Sequence, residues 1–266
     1  MRQKSKNSIR PKKHLGQNFL IDSNIVNKII LACDLKETDC VLEVGPGLGA
    51  LTKEIAPNVK ALVAIEKDHS LIEKLSQKNF GSHVKFYNDD ILKFNFLKLK
   101  KGIKFIGNLP YYISSPIIEK LIKNSNRISS AFITVQLEFA NRLVAKPNTK
   151  EYGSLTCFVQ YYATPTLLFK IKNSCFRPIP KVQSAFIRLD FKKIPSPKAE
   201  NEELFFKTIR RAFQQRRKTI LNSLSTKYKK PQIEDVLKKC NIDPKSRAEN
   251  LTLDNFVNIA NHFAKL

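Results

Sequence analysis

The chain has 266 residues, 42% of them hydrophobic, which suits one large domain or a large and a small one. Its formal net charge of +24 brings self-repulsion that an enzyme for small metabolites gains nothing from, whereas a polyanionic partner would use it. Apolar runs fall short of the ~18 residues of a membrane span, no signal peptide is visible, and five scattered cysteines without a CxxC pair read as reduced cytosolic thiols rather than disulfides or zinc ligands. Nucleic acid is the first choice of partner, and an anionic membrane a weaker one without a basic amphipathic anchor. Abundant Lys, Asn and Ile leave a plain composition bias as the bland alternative.

In chain order, residues 1–13 carry six Lys/Arg and no acid. They read as a disordered basic arm, a phosphate-binding tail rather than a short organellar leader. From about residue 24 to 136, strand-like and helix-like runs alternate. Val41–Val44, Ala61–Ile65, Val84–Tyr87, Ile103–Ile106 and Ala131–Val135 are short enough and apolar enough for buried strands. Leu51–Ile55, Ser70–Lys78 and Pro116–Ile122 carry helical patterns between them. The alternation predicts an α/β fold with a doubly wound parallel sheet. Two later runs, Leu167–Ile171 and Ala185–Leu189, follow a helical stretch and can close the sheet as a hairpin-like pair. Lys192–Glu200 holds two prolines and reads as a linker, and residues 202–266 are helical in pattern. The expected organisation is therefore an arm over 1–13, an α/β domain over 14–191, a linker over 192–201 and a small all-helical domain over 202–266.

The segment Glu43-Val44-Gly45-Pro46-Gly47-Leu48-Gly49 follows the first of the buried strands and precedes a helix. Its glycines let the backbone turn sharply against a ligand at the carboxyl edge of the sheet. Glu66 ends the next strand, where it can accept both ribose hydroxyls of an adenosine. Asp90, after the third, can take the amine of a cofactor's adenine. Each acid alone is also a plain helix cap or solvated turn. The G-x-G-x-G spacing leaves NAD as the first alternative. An acidic Glu43 at the loop opposes a pyrophosphate but tolerates a zwitterionic sulfonium, which favours S-adenosylmethionine.

Asn108-Leu109-Pro110-Tyr111 reads as a strand ended by a proline, which has no N–H to pair. The corner offers the Asn108 amide, the Leu109 carbonyl and the flat face of Tyr111. Two acceptors and a stacking plane suit an adenine ring with its N6 amine; an ordinary strand-to-loop turn is the alternative for these four residues alone.

Assembled, these residues resemble the ribosomal small-subunit RNA adenine N6,N6-dimethyltransferases (the KsgA type), relatives of the Erm methyltransferases. The resemblance runs from about Lys12 to the C-terminus. It rests on Leu15-Gly16-Gln17-Asn18-Phe19-Leu20, the glycine loop, Asn108 to Pro116, Tyr152-Gly153-Ser154-Leu155, Phe176 to Ala185, and Ala212 to Thr219. Gln183 stands where relatives often carry an acid. The resemblance implies a Rossmann-like S-adenosylmethionine-dependent methyltransferase domain with a helical C-terminal domain. It also implies cofactor contacts at Asn18, Leu20, Gly45, Glu66, Asp90 and Asn108, with residues 17–20 folded over the cofactor. Target-base contacts fall on Asn108, Leu109, Tyr111 and Phe176, with Phe176 opposite Tyr111 so that a flipped adenine is sandwiched. Phe176 by itself reads more readily as core. No metal is implied.

The run Arg210, Arg211, Arg216, Arg217 and Lys218 spans about two helical turns by spacing, with 210, 217 and 218 on one face and Phe206, Phe213 and Ile220 on another. Beside the overall charge it reads as phosphate-binding, a solvated face being the alternative. The expected activity is transfer of methyl groups to N6 of two adjacent adenosines in a hairpin loop near the 3′ end of small-subunit (16S) rRNA. The substrate would be a precursor ribosomal subunit, and the enzyme a cytoplasmic monomer without membrane contact and with a role in ribosome biogenesis. An Erm-type large-subunit enzyme, a DNA adenine methyltransferase and a non-catalytic RNA-binding homologue are the rivals. Leu109 argues against the DNA enzyme, and intact Asn108 and Tyr111 against lost catalysis.

Overall fold

The computed structural model describes residues 11, 12 and 15–266. Apart from Pro11 and Lys12, the expected basic arm lies outside the described residues. The first element is a two-residue strand, β1 (Phe19–Leu20), followed by α1 (Ser23–Cys33). Asp22 starts α1 by accepting the N–H groups of Asn24 and Ile25, and Val26, Ile29 and Cys33 recur at helical spacing as its buried face.

Five parallel strands follow, in the places that the apolar runs predict: β2 (Cys40–Val44), β3 (Ala61–Glu66), β4 (Val84–Asn88), β5 (Ile103–Asn108) and β6 (Ile128–Gln136). Three helices cross between them, α2 (Ala50–Ile55), α3 (His69–Ser76) and α4 (Ser114–Lys123). The inner strands are almost wholly buried, as a sheet covered on both faces requires. Register brings the strand ends level: Val44 lies between Ile65 and Gly107, and Glu66 beside Asn88. The carboxyl edge is thus one row formed by Val44, Glu66, Asn88 and Asn108.

Next come α5 (Leu137–Val144), α6 (Ser154–Tyr162), β7 (Ala163–Ile171), β8 (Phe176–Arg177) and β9 (Ser184–Phe191). The seven-stranded sheet has the order β4-β3-β2-β5-β6-β9-β7. The expected pair of late strands therefore lies side by side, both longer than predicted. Pro165 sits inside β7, which its place at the sheet edge permits. A second, two-stranded sheet joins β1 to β8 antiparallel, Phe19 opposite Arg177 and Leu20 opposite Phe176.

The chain closes with α7 (Glu202–Gln214), α8 (Ile220–Leu224), α9 (Lys230–Lys239) and α10 (Leu253–Phe263). By contacts it divides into two compact units, one to Leu137 with Leu167–Arg188, the other Glu138–Thr166 with Leu189–Leu266. The first has a core around Ile29, Val41, Ile55, Leu62, Ile106 and Phe186. The second is built on Tyr161, Phe205, Ile209, Leu237, Phe256 and Ile259.

The expected two-turn basic face is not a continuous helix. Helix α7 ends at Gln214, Gln215 leaves helical geometry, and Thr219 starts α8 by accepting the Asn222 N–H. Arg217 and Lys218 lie in the turn between, and Ile220 belongs to the next helix. Arg216 is drawn away by three acceptors, the carbonyls of Lys150 and Tyr152 and the carboxylate of Glu249. Helical spacing carried past residue 214 could not foresee this, because the acceptors lie more than 30 residues away in sequence.

Candidate active site

The carboxyl edge of β2, β3 and β5 opens into a cavity of about 220 Å³. Gly45, Glu66, Asp90, Asn108 and Tyr111 lie on its wall, and residues 15–19 cross it as a strap.

Two glycines make the approach possible. Gly45 and Gly47 both have positive φ (71° and 59°), a region costly for residues with a Cβ. A Cβ on Gly45 would stand 3.3 Å from the Asn108 carbonyl oxygen, and one on Gly47 2.9 Å from the Phe19 ring. The loop therefore passes between the β5 corner and the strap.

Glu66 is held in place by backbone donors. Its two oxygens accept the N–H of Asp68 at 2.9 Å and of Gly47 at 3.4 Å. Burial lifts its carboxyl above the usual range, and those two N–H groups oppose the lift. A carboxylate has about four lone-pair sites, so two remain for hydroxyl donors. Asp90 accepts the Leu92 N–H at 2.9 Å and pairs with Lys67 at 2.8 Å. Burial works to raise its carboxyl, but Lys67 and the Leu92 N–H outweigh it and hold the group below the ordinary value. Acidic acceptors on neighbouring strand ends, below a glycine turn, fit an adenosine.

At the β5 corner, the Asn108 side chain donates its Nδ2 to the Asn18 carbonyl at 2.9 Å. That bond fixes the amide, and no described residue donates to Oδ1. The Leu109 side chain is buried and its N–H reaches the Thr134 carbonyl at 3.3 Å, which anchors the corner to β6. The Tyr111 hydroxyl meets the Ser184 hydroxyl at 2.7 Å. Ser184 is buried at the start of β9 and tethers the hydroxyl end of the Tyr111 ring. Burial raises the Tyr111 phenol pKa, opposed by Ser184, so the phenol stays neutral.

Of the expected site residues, Asn18, Gly45, Glu66, Asp90, Asn108, Leu109 and Tyr111 all line this cavity. Leu20 and Phe176 are not on its wall. Leu20 is buried, bordering a cavity of about 20 Å³ behind the glycine loop. Phe176 is 0% exposed and belongs to the core, paired across β1 and β8 with Leu20. The sequence also left Ser184 without a role, since its partner lies 73 residues away. Among the described residues no group of three or more His, Cys, Asp or Glu could hold a metal.

Glu43 is corrected by the structure. It does not face the main cavity; it is 1% exposed behind the loop, with Oε2 accepting the Thr52 hydroxyl at 2.7 Å and Oε1 lacking a partner among the described residues. Burial pushes its carboxyl up to about 7, Thr52 opposing and Glu66 adding to the rise. The folded state thus prefers the protonated acid. Its stabilising contribution is complete below about pH 4.5, the ordinary value, and is lost as pH rises through about 7. Glu43→Gln should accordingly gain on the parent chain between pH 5 and pH 8, by up to about 3 kcal/mol. Urea unfolding at the two pH values checks this, and an unchanged difference refutes it.

A family model described as ribosomal RNA adenine dimethylase matches residues 9–265. The chain belongs to the ribosomal RNA adenine dimethylase family. Ribosomal RNA small subunit methyltransferase A of Alkaliphilus oremlandii is 43% identical over 264 residues, 95% of this chain and 92% of the relative. The protein of the same description from Clostridium perfringens is 42% identical over 257 residues, covering 94% and 90%. Among solved structures, a dimethyladenosine transferase from Plasmodium falciparum superposes with a TM-score of 0.81 at 29% identity, over 93% of this chain and 98% of that one. The 23S rRNA methyltransferase ErmE superposes at 0.71 with 26% identity, over 93% and 100%. The α/β methyltransferase fold follows from these likenesses, and the dimethylase family matches the acceptor corner already described.

Proposed function

We propose that the protein dimethylates N6 of two adjacent adenosines in a hairpin loop near the 3′ end of small-subunit ribosomal RNA, using S-adenosylmethionine. The observation that carries the reading is the β5 corner. Asn108 is locked through its Nδ2 to Asn18, so its oxygen and the Leu109 carbonyl remain as acceptors beside Tyr111, on the same cavity as Glu66 and Asp90. Family membership supports an adenine of ribosomal RNA as the substrate, and the small-subunit relatives favour it over an Erm-type target.

Glu66 would hold the ribose hydroxyls and Asp90 the adenine amine of the cofactor, with the glycine loop against its amino-acid end. When bound, S-adenosylmethionine supplies an electrophilic methyl group. The protein's own residues do the rest. Asn108 Oδ1 and the Leu109 carbonyl accept the two N6 hydrogens, which draws the nitrogen towards tetrahedral geometry and localises its lone pair. Tyr111 stacks on the base, a contact worth roughly 1–3 kcal/mol. Orientation and fixed acceptors carry the rate, and no side chain need act as a general base, because the ammonium formed at N6 is acidic and would release its proton to water. After the first transfer one acceptor yields its place to a methyl.

A loop target costs less to flip than a duplex base. We assign residues 14–191 to catalysis, and 202–266, joined through 192–201, to RNA, with Arg210, Arg211, Arg217 and Lys218 as phosphate contacts. A precursor small subunit as substrate, a monomeric enzyme and a cytoplasmic setting complete the reading. Among the described residues no helix is long and apolar enough to cross a membrane.

The test offers undermethylated small subunits and large subunits in parallel with labelled S-adenosylmethionine. Label confined to two small-subunit adenines, as dimethyladenosine, is the expected result. Label on large-subunit RNA alone transfers the protein to the Erm-type reading, and label on neither points to a binding role.

A further inference from the structure

The strap is fastened at a residue that the catalytic reading does not use. Asp68 follows β3 and caps α3, accepting the Ser70 N–H at 3.1 Å. A cap needs one acceptor. Asp68 has three further donors: the Ser70 hydroxyl at 2.8 Å, Lys12 Nζ at 2.6 Å and Gln17 Nε2 at 2.8 Å. The last two reach it from more than 50 residues earlier in the chain. Gln17 is used at both ends of its amide, because its Oε1 also accepts the Lys12 N–H at 2.7 Å. Lys12, Gln17 and Asp68 thus close a ring of three bonds.

Asp68 is the buried member of the ring. The Asp68 side chain is 1% exposed while that of Lys12 is 43% exposed. Burial by itself would raise the Asp68 carboxyl, but its donors outweigh that and bring it to about 2, so it stays ionised through the physiological range. An ionised, buried carboxylate is costly to strip of its partners. The ring also adjoins the ribose acceptor, because the Asp68 N–H is the donor that holds Glu66 Oε1.

We propose that Lys12, Gln17 and Asp68 are a latch that holds the 15–20 strap closed over the cofactor cavity and so sets how slowly the cofactor leaves. Among the described residues the strap is also fastened by Asn18 to Asn108 and by the β1–β8 pairing. These lie at its far end, so opening the latch frees the near end alone. The three residues are positioning residues: they hold the cavity roof and touch no reacting atom. The proposal rests on the cofactor assignment made above.

Lys12 and Gln17 are the residues to change, since neither caps α3. Lys12→Ala removes the ion pair, and Gln17→Glu sets a second carboxylate against Asp68. The probe is S-adenosylhomocysteine, with its dissociation rate from the full-length protein measured by stopped-flow competition. Amide hydrogen exchange over residues 15–20 is followed in the ligand-free protein. Each variant should speed dissociation by about tenfold, the effect of one charge-assisted hydrogen bond, with a smaller change in association. Strap amides should exchange faster while those of β2 and β5 do not. Unchanged dissociation and unchanged strap exchange in both variants overturn the latch. No binding by the unmodified protein overturns the cofactor assignment and the proposal with it, a result distinct from binding whose dissociation the variants leave unaltered.

Discussion

Asn108→Ala is expected to lower turnover by about 10²–10³, the usual cost of removing one fixed polar group from a reacting centre. The side chain has two duties. Its oxygen is proposed to accept an N6 hydrogen, and its Nδ2 holds the strap through the Asn18 carbonyl at 2.9 Å. Alanine loses both, so cofactor affinity should fall as well, though less than turnover. Asn108→Asp separates the duties. It keeps an acceptor but sets a carboxylate against the Asn18 carbonyl, so cofactor binding should suffer at least as much as in the alanine variant while turnover with saturating cofactor is partly retained. Steady-state kinetics with varied cofactor at fixed small-subunit concentration reads the split between kcat and KM. Turnover within threefold of the parent in Asn108→Ala would remove the β5 corner from the mechanism.

Phe176→Ala should cost stability first, by about 3–5 kcal/mol, the range for a buried phenylalanine truncated in a core. For a chain of this length that lowers Tm by roughly 10 °C. The ring is fully buried, packed with the α1 and α2 side of the first unit's core, and β8 pairs it with Leu20 of the strap. Tyr111→Ala should behave differently. Tyr111 is half-buried with its hydroxyl on Ser184, so turnover falls while the loss of stability is smaller. The two aromatic residues that the family resemblance places against the base are therefore not tested by the same substitution. Phe176→Leu keeps most of the volume and removes the flat face. A folded Phe176→Leu protein with parent cofactor affinity and reduced turnover would support stacking on the flipped adenine. Parent turnover in that variant assigns Phe176 to the core alone.

Strap and corner were legible in the sequence to different depths. Asn108-Leu109-Pro110-Tyr111 was readable because its chemistry is local: a proline ends a strand wherever it stands, and the groups it leaves at the tip are fixed by the next two residues. The sheet was readable for a related reason. Strands buried on both faces need largely apolar runs, and Ala61–Ile65 carries that signal in five residues without a polar interruption. Glu66 and Asp90 follow from position, since each comes at or just after the end of such a run.

What could not be read depends on partners distant in sequence. A two-residue strand has no periodicity, so β1 and β8 were invisible, and with them the pairing that draws Phe176 to the strap. Asp68 caps α3, and only the folded chain brings Lys12 and Gln17 to it across more than 50 residues. Glu43 stands in a motif that suggested a ligand-facing acid, yet strand alternation at the end of β2 turns it inward onto Thr52. Arg216 sat in a basic run whose spacing fitted a helix until Lys150, Tyr152 and Glu249 supplied its acceptors. The sequence by itself determined the parallel sheet, the glycine turn and the acceptor corner, because local sterics and burial specify them. Tertiary packing decided which side chains face the cavity and what holds the strap over it, because hydrogen-bond partners are chosen by proximity in space, which local pattern does not encode.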